Sequence, residues 1–172
     1  MTEQLSEEAS DFLATFSDTP PTSIFVHPDK GVGMGEEVIP WNTKGRYLTE
    51  RPSYVMDPHY HAGAYYPQEA SSMLVGHIVS MMNLPSDAFC LDLCASPGGK
   101  SINILAALHE DSFLISNEVV RSRVGALKEN LRRWGRPNSA ITSAHPSKWS
   151  YAKDSFDLIL VDAPCSGEGM FR

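Results

Sequence analysis

The positions able to do chemistry fall at three places. These are the turn Leu93-Cys-Ala-Ser-Pro-Gly-Gly-Lys-Ser101, the acid Glu118, and the stretch Asp162-Ala-Pro-Cys165. The turn follows a short apolar run, Phe89-Cys-Leu-Asp-Leu93, fit for a buried strand, and opens a segment with helical character over Ile102–Leu108. Strand, glycine turn and helix start together gather free backbone N–H groups in one concavity, which suits a nucleotide-like ligand. Two nucleotide fingerprints come close. The dinucleotide pattern needs three spaced glycines, whereas this turn has Gly98 and Gly99 side by side. The phosphate-binding loop matches at Gly99-Lys100-Ser101 but has Cys94 in place of its first glycine. With Phe156-Asp-Leu-Ile-Leu-Val-Asp162 as a metal-holding strand, a P-loop-type NTPase stands as an alternative. A third reading places Glu118 at the end of Ser112-Phe-Leu-Ile-Ser-Asn-Glu118, roughly 20 residues after the turn, where a carboxylate accepts both hydroxyls of a ribose.

The stretch Asp162-Ala-Pro-Cys-Ser-Gly-Glu-Gly-Met-Phe-Arg172 closely resembles the fourth motif of RNA cytosine-5 methyltransferases, in the Sun-domain group and the branch of bacterial ribosomal-RNA methyltransferase F. Leu93–Lys100 resembles the S-adenosylmethionine loop of that family, and His61-Ala-Gly-Ala-Tyr-Tyr-Pro-Gln-Glu-Ala-Ser-Ser-Met73 agrees upstream. The resemblance implies that Cys94, Ala95, Ser96, Pro97, Gly98, Gly99, Lys100 and Glu118 hold S-adenosylmethionine. His145 stands where relatives carry an adenine-contacting acid. Asp162 would lie beside the cofactor and bond the pyrimidine edge, and Cys165 would be the helper cysteine that assists product release.

Cytosine C5 becomes nucleophilic once a thiolate has added to C6. In the family that cysteine belongs to a sixth motif, downstream of the fourth, and neither Cys90 nor Cys94 is placed to replace it. The expectation is therefore an N-terminal piece of a longer enzyme, inactive alone, with a sheet short of its last three strands and an apolar edge open to self-association. The implied fold is α/β: a partial doubly wound, Rossmann-like methyltransferase sheet over residues 65–172, preceded by a small α+β region over 1–64 that helps hold RNA. The resemblance implies ribosomal or transfer RNA as the partner. Relatives usually carry arginine and asparagine where this chain has Phe25 and His27. A non-catalytic RNA-binding module is a further alternative.

With 172 residues, 42% apolar and 20% charged, the chain has the make-up of an ordinary globular domain. No apolar run reaches the length of a membrane span, and Met1–Ser10 is acidic, unlike a signal peptide, so a cytoplasmic protein without a membrane partner is expected. Three cysteines fit neither a disulfide framework nor a zinc pattern, and His59 and His61 lack further ligands, so no metal is expected. The net charge of −7 is unfavourable to RNA, but residues 121–136 set six cations against Glu129 alone. That tract is either an RNA-facing helix or a solvated face.

These residues need elements to position them. The pattern predicts a helix over Ser6–Phe16 capped by Ser6 with Glu7 and Glu8 behind it, and a strand at Ile24–Val26. Short strands are expected at Val38–Trp41, Gly45–Leu48 and Tyr54–Met56. A helix over Pro67–Leu84 would bury Ala70, Met73, Leu74, Ile78 and Met81. A second helix, Arg121–Trp134, would bury Val124, Leu127, Leu131 and Trp134 and stop at Gly135 and Pro137. A strand at Ser139–Thr142, a loop over Ala144–Trp149 and a central strand at Ser155–Val161 complete the alternation of a parallel sheet.

Overall fold

Alternating apolar residues and well-placed turns build two four-stranded sheets in a computed structural model that describes residues 9–17, 19–31, 33 and 37–164. Cys165 and the expected helix start Ser6–Glu8 lie outside the described residues. The chain divides into two compact units, residues 1–21 with 164–172, and Thr22–Ala163. In the first, helix α1 (Ala9–Ala14) runs into a 3-10 turn, Thr15–Ser17, as the apolar stripe predicts. Its rings Phe12 and Phe16 meet edge-on at 5.3 Å.

In the second unit, β1 (Thr22–Val26), β2 (Glu37–Ile39), β3 (Asn42–Leu48) and β4 (Tyr65–Pro67) form an antiparallel sheet in the order β2-β3-β1-β4. Three of the four short strands expected in this region lie on or beside β1, β2 and β3. The fourth, Tyr54–Met56, is a 3-10 turn leading into the one-turn helix α2 (Pro58–His61). Asp57 accounts for the difference. Its carboxylate accepts from the His59 N–H at 2.8 Å and from the Tyr65 hydroxyl at 2.6 Å, which fixes the chain as a cap rather than a strand.

The helix expected from Pro67 also begins later. Pro67 is extended in β4, opposite Ile24, and Gln68 is tied to β1 by Ser23 Oγ donating to its carbonyl at 2.6 Å. A 3-10 turn, Ala70–Met73, then leads into α3 (Leu74–Met81). The shift rotates the buried face. Ala70, Met73, Gly76 and Val79 point inward, while Leu74, Ile78 and Met81 are exposed.

The second sheet is parallel: β5 (Phe89–Asp92), β6 (Phe113–Asn117), β7 (Ser139–Thr142) and β8 (Leu158–Leu160), in the order β7-β6-β5-β8. Helix α4 (Gly99–Ala107) joins β5 to β6, and α5 (Arg121–Trp134) joins β6 to β7. The α5 bounds are those predicted, and Gly135 ends it in the left-handed region at φ 81°. Two expectations change here. Pro146–Ala152 is a 3-10 turn instead of a loop, and β8 is an edge strand, with Ile159 and Val161 exposed, instead of a central one. Strand order reverses between β5 and β8, the switch point at which doubly wound sheets hold ligands. No helix among the described residues is long and apolar enough to cross a membrane.

One core joins both sheets. Phe25 stacks on Trp134 at 5.6 Å and His27 packs on the same ring at 4.3 Å, so both are buried against α5. Lys30 Nζ reaches the end of α5 and donates to the carbonyls of Ala62 (3.1 Å), Arg133 (3.2 Å) and Trp134 (2.8 Å). A cation there satisfies orphan carbonyls and meets the negative end of the helix dipole.

Candidate cofactor and active site

Beyond Asp92 the chain turns through Cys94–Gly98 and enters α4 at Gly99. Gly98 has φ 113°, a conformation that favours glycine. Gly99 is closely packed: a Cβ there would lie 3.0 Å from Gln68 Nε2 and 3.1 Å from Tyr66 Cε1, so these side chains would have to give by a few tenths of an ångström. The antiparallel sheet thus presses its last strand onto the loop. From the other side α5 grips it. Ser96 Oγ donates to the Arg123 carbonyl (3.0 Å), Arg123 Nη2 to the Ser96 carbonyl (2.7 Å), and Asn130 Nδ2 to the Pro97 carbonyl (2.8 Å).

Beneath the loop lies a buried polar chain. Ser116 Oγ donates to Ser101 Oγ at 2.9 Å, and Ser101 Oγ donates to Asp92 Oδ2 at 2.6 Å. Burial pushes the Asp92 carboxyl up to about 6, against the opposing pull of Ser101, the Cys94 backbone and the Lys100 charge. Its second oxygen, Oδ1, has no hydrogen-bond partner among the described residues.

The neighbouring strand ends supply the acids. Glu118 is 3% exposed; its Oε1 accepts from the Val120 N–H at 2.8 Å, and Arg123 Nε stands 3.8 Å from Oε2. Arg123 therefore touches both the loop and this acid. Asn117 ties three strand ends together: Nδ2 donates to the carbonyls of Leu93 (3.0 Å) and Ala144 (3.1 Å), while Oδ1 accepts from Thr142 Oγ1 and the Ala144 N–H, both at 2.9 Å. Past β8, Asp162 Oδ2 pairs with Lys100 Nζ at 2.6 Å.

Tyr66, Gln68, Cys94, Gly99, Lys100 and Asp162 are among the residues lining a cleft of about 200 Å³. Gln68 Nε2 is buried beside it without a hydrogen-bond partner among the described residues.

The expected residues thus fall into three places. Cys94 to Pro97, Gly99, Lys100 and Asp162 line the cleft, with Gly98 in the turn beside it, and Glu118 sits at the adjoining strand end, linked through Arg123. His145 is exposed, with Nδ1 2.9 Å from Ser147 Oγ, and caps the turn Pro146–Ala152. Cys165 lies outside the described residues. Burial raises the thiol of Cys90 to about 11 and raises that of Cys94 as well, the wrong direction for a nucleophile. Tyr66, Gln68, Asn117 and Arg123 were not singled out from the sequence as site residues. The sequence signals are a polar strand end for Asn117, the upstream stretch His61–Met73 for Tyr66 and Gln68, and the cationic tract 121–136 for Arg123.

The family model described as 16S rRNA methyltransferase RsmB/F matches residues 79–172, and that for the N-terminal domain of 16S rRNA methyltransferase RsmF matches residues 1–70. The chain is 34% identical over 155 residues to ribosomal RNA small subunit methyltransferase F of Aeromonas salmonicida, covering 87% of this chain and 33% of that protein. It is 41% identical over 112 residues to the protein of the same name from Photobacterium profundum, covering 64% and 23%. The chain spans about a third or less of the length of these curated relatives. Among solved structures it is similar to a methyltransferase homolog protein from Pyrococcus horikoshii, at TM-score 0.80 and 25% identity, covering 96% of this chain and 57% of that one. It is also similar to NSun6 from Pyrococcus horikoshii with SFG, at TM-score 0.59 and 28% identity, covering 71% and 30%. The architecture is that of the α/β methyltransferases.

Proposed function

The chain belongs to the 16S rRNA methyltransferase RsmB/F family, and from that premise we propose that it provides the cofactor-binding part of an S-adenosylmethionine-dependent RNA cytosine-5 methyltransferase acting on ribosomal RNA in the cytoplasm. Bound S-adenosylmethionine supplies an electrophilic methyl group. The residues suit such a ligand: a side-chain-free turn at Gly98–Gly99, a buried Glu118 with one backbone partner, and the unpartnered Gln68 Nε2 at the cleft.

In this reading Cys94 to Lys100 cradle the amino-acid end and Glu118 accepts the ribose hydroxyls. His145 meets the adenine edge by its other ring nitrogen, Nε2, and Arg123 holds loop and acid at a fixed spacing. Asp162, half-exposed at the cleft and steadied by Lys100, accepts from the cytosine edge, and Cys165 assists release of the product. Residues 1–64 contribute to holding RNA and 65–172 to holding cofactor. The β8 edge is open to a second copy.

The observation that carries this proposal is the buried carboxylate of Glu118 at the strand end beside a glycine turn. Calorimetry with S-adenosylhomocysteine tests it. The chain is expected to bind, and Glu118→Gln to bind at least ~10-fold more weakly, the scale of one lost charge-assisted hydrogen bond. Equal affinity in the two, or heat released with ATP and magnesium instead, would overturn it.

A further inference from the structure

Helix α5 uses half of its local cations internally. Arg123 holds the loop, Arg133 lies over the Tyr60 ring at 4.0 Å and pairs with Glu129 at 3.0 Å, and Arg136, just beyond the helix, pairs with Asp29 at 3.3 Å. Arg121, Lys128 and Arg132 are exposed, and among the described residues no side-chain hydrogen bond or ion pair involves them. Their spacing is i, i+7 and i+11, which at 3.6 residues per turn sets all three within about 40° on one face, over about 16 Å of axis.

Gly125 falls on the same stripe and is open, with nothing within 4 Å of where a Cβ would stand. The helix's one acid, Glu129, is off the stripe and already engaged by Arg133. The opposite face, with Leu127 and Trp134, is the one buried in the core. A chain of net charge −7 thus presents an unpaired cationic strip whose first residue is three beyond Glu118.

We propose that Arg121, Lys128 and Arg132 form a docking strip for the phosphodiester backbone of single-stranded RNA, leading the strand toward the cofactor edge. The glycine leaves the backbone close enough for phosphates to approach the helix. This rests on the RNA-substrate reading above, and it separates the tract into three structural cations and three recognition cations. Binding here is by phosphate and carries no base preference.

The test is the salt dependence of binding by the full 172-residue chain, using a fluorescein-labelled 12-nucleotide single-stranded RNA and fluorescence anisotropy. Arg121→Gln, Lys128→Gln and Arg132→Gln combined remove three phosphate contacts, so the log–log slope should flatten by about two and affinity at 0.1 M salt should fall about 100-fold. A control matched in net charge, Lys148→Glu with Lys153→Gln, both exposed and outside residues 1–64, should leave both unchanged. S-adenosylhomocysteine affinity and Tm, measured alongside, should be equal in all three proteins. RNA binding with an unaltered slope in the helix variant overturns the strip and leaves the RNA reading standing. Absence of RNA binding by the unaltered chain overturns both, while cofactor binding is judged separately. An equal loss in the control variant also overturns the strip, since the effect would then be net charge alone.

Discussion

Asp92 makes the site's acid–base behaviour measurable. Its folded carboxyl, near 6, binds a proton more readily than the 3.8 of an ordinary aspartate, because burial disfavours the charge. Protonation therefore favours the folded state. The contribution is full below 3.8 and is lost as pH climbs through 6, leaving a penalty on the order of 3 kcal/mol at neutral pH. Asp92→Asn removes this titration, so its stability relative to the parent should improve by that order between pH 4 and 7; a difference that stays flat in thermal melts would refute it. At Gly99, alanine must displace Gln68 or Tyr66, so Gly99→Ala should weaken S-adenosylhomocysteine binding ~10-fold or more by calorimetry, with circular dichroism unchanged. The glycine turn and Glu118 were legible in the sequence because backbone freedom and a terminal acid leave local marks. Arg123, Asn117 and Gln68 were not, since their partners lie 24 to 45 residues away and meet only once the sheets have their register.

Among elements, α5 carries the most, touching the loop by its inner face and the antiparallel sheet by its end. Lys30 at that end makes three bonds to carbonyls, so Lys30→Met, which keeps the stem and removes the charge, should destabilise by about 2 kcal/mol in urea titrations. Its bounds could be read ahead of the structure because Leu127, Leu131 and Trp134 keep helical spacing and Gly135 with Pro137 stop it. The helix before the loop resisted such reading. Pro67 has the look of a helix start, but pairing with β1 claims it as strand, and that pairing is 43 residues distant in sequence, from Ile24 to Pro67. Tyr54–Met56 reads as a strand for a different reason: Asp57 caps the next helix locally through the His59 N–H, and its other oxygen is held by Tyr65, which the sequence does not bring near.

For the molecule as a whole, the parallel sheet was foreseeable from alternation of apolar runs and amphipathic stretches, while the place of β8 at its edge was not. An apolar run looks the same in a strand with two neighbours as in one with a single neighbour. Ile159 and Val161, at 53% and 56% exposure, flank that edge. If a second copy pairs there, light scattering at rising concentration should report a dimer, and Ile159→Lys should hold the chain monomeric; a monomer throughout would dismiss the idea. Trp134 has a wider consequence. Wedged between Phe25 and His27 on one side and the Leu127 core on the other, it is a seam that neither sheet can leave alone. Heating should therefore melt both sheets in one step, with the red shift of indole emission and the loss of far-ultraviolet ellipticity tracing a single superimposable curve.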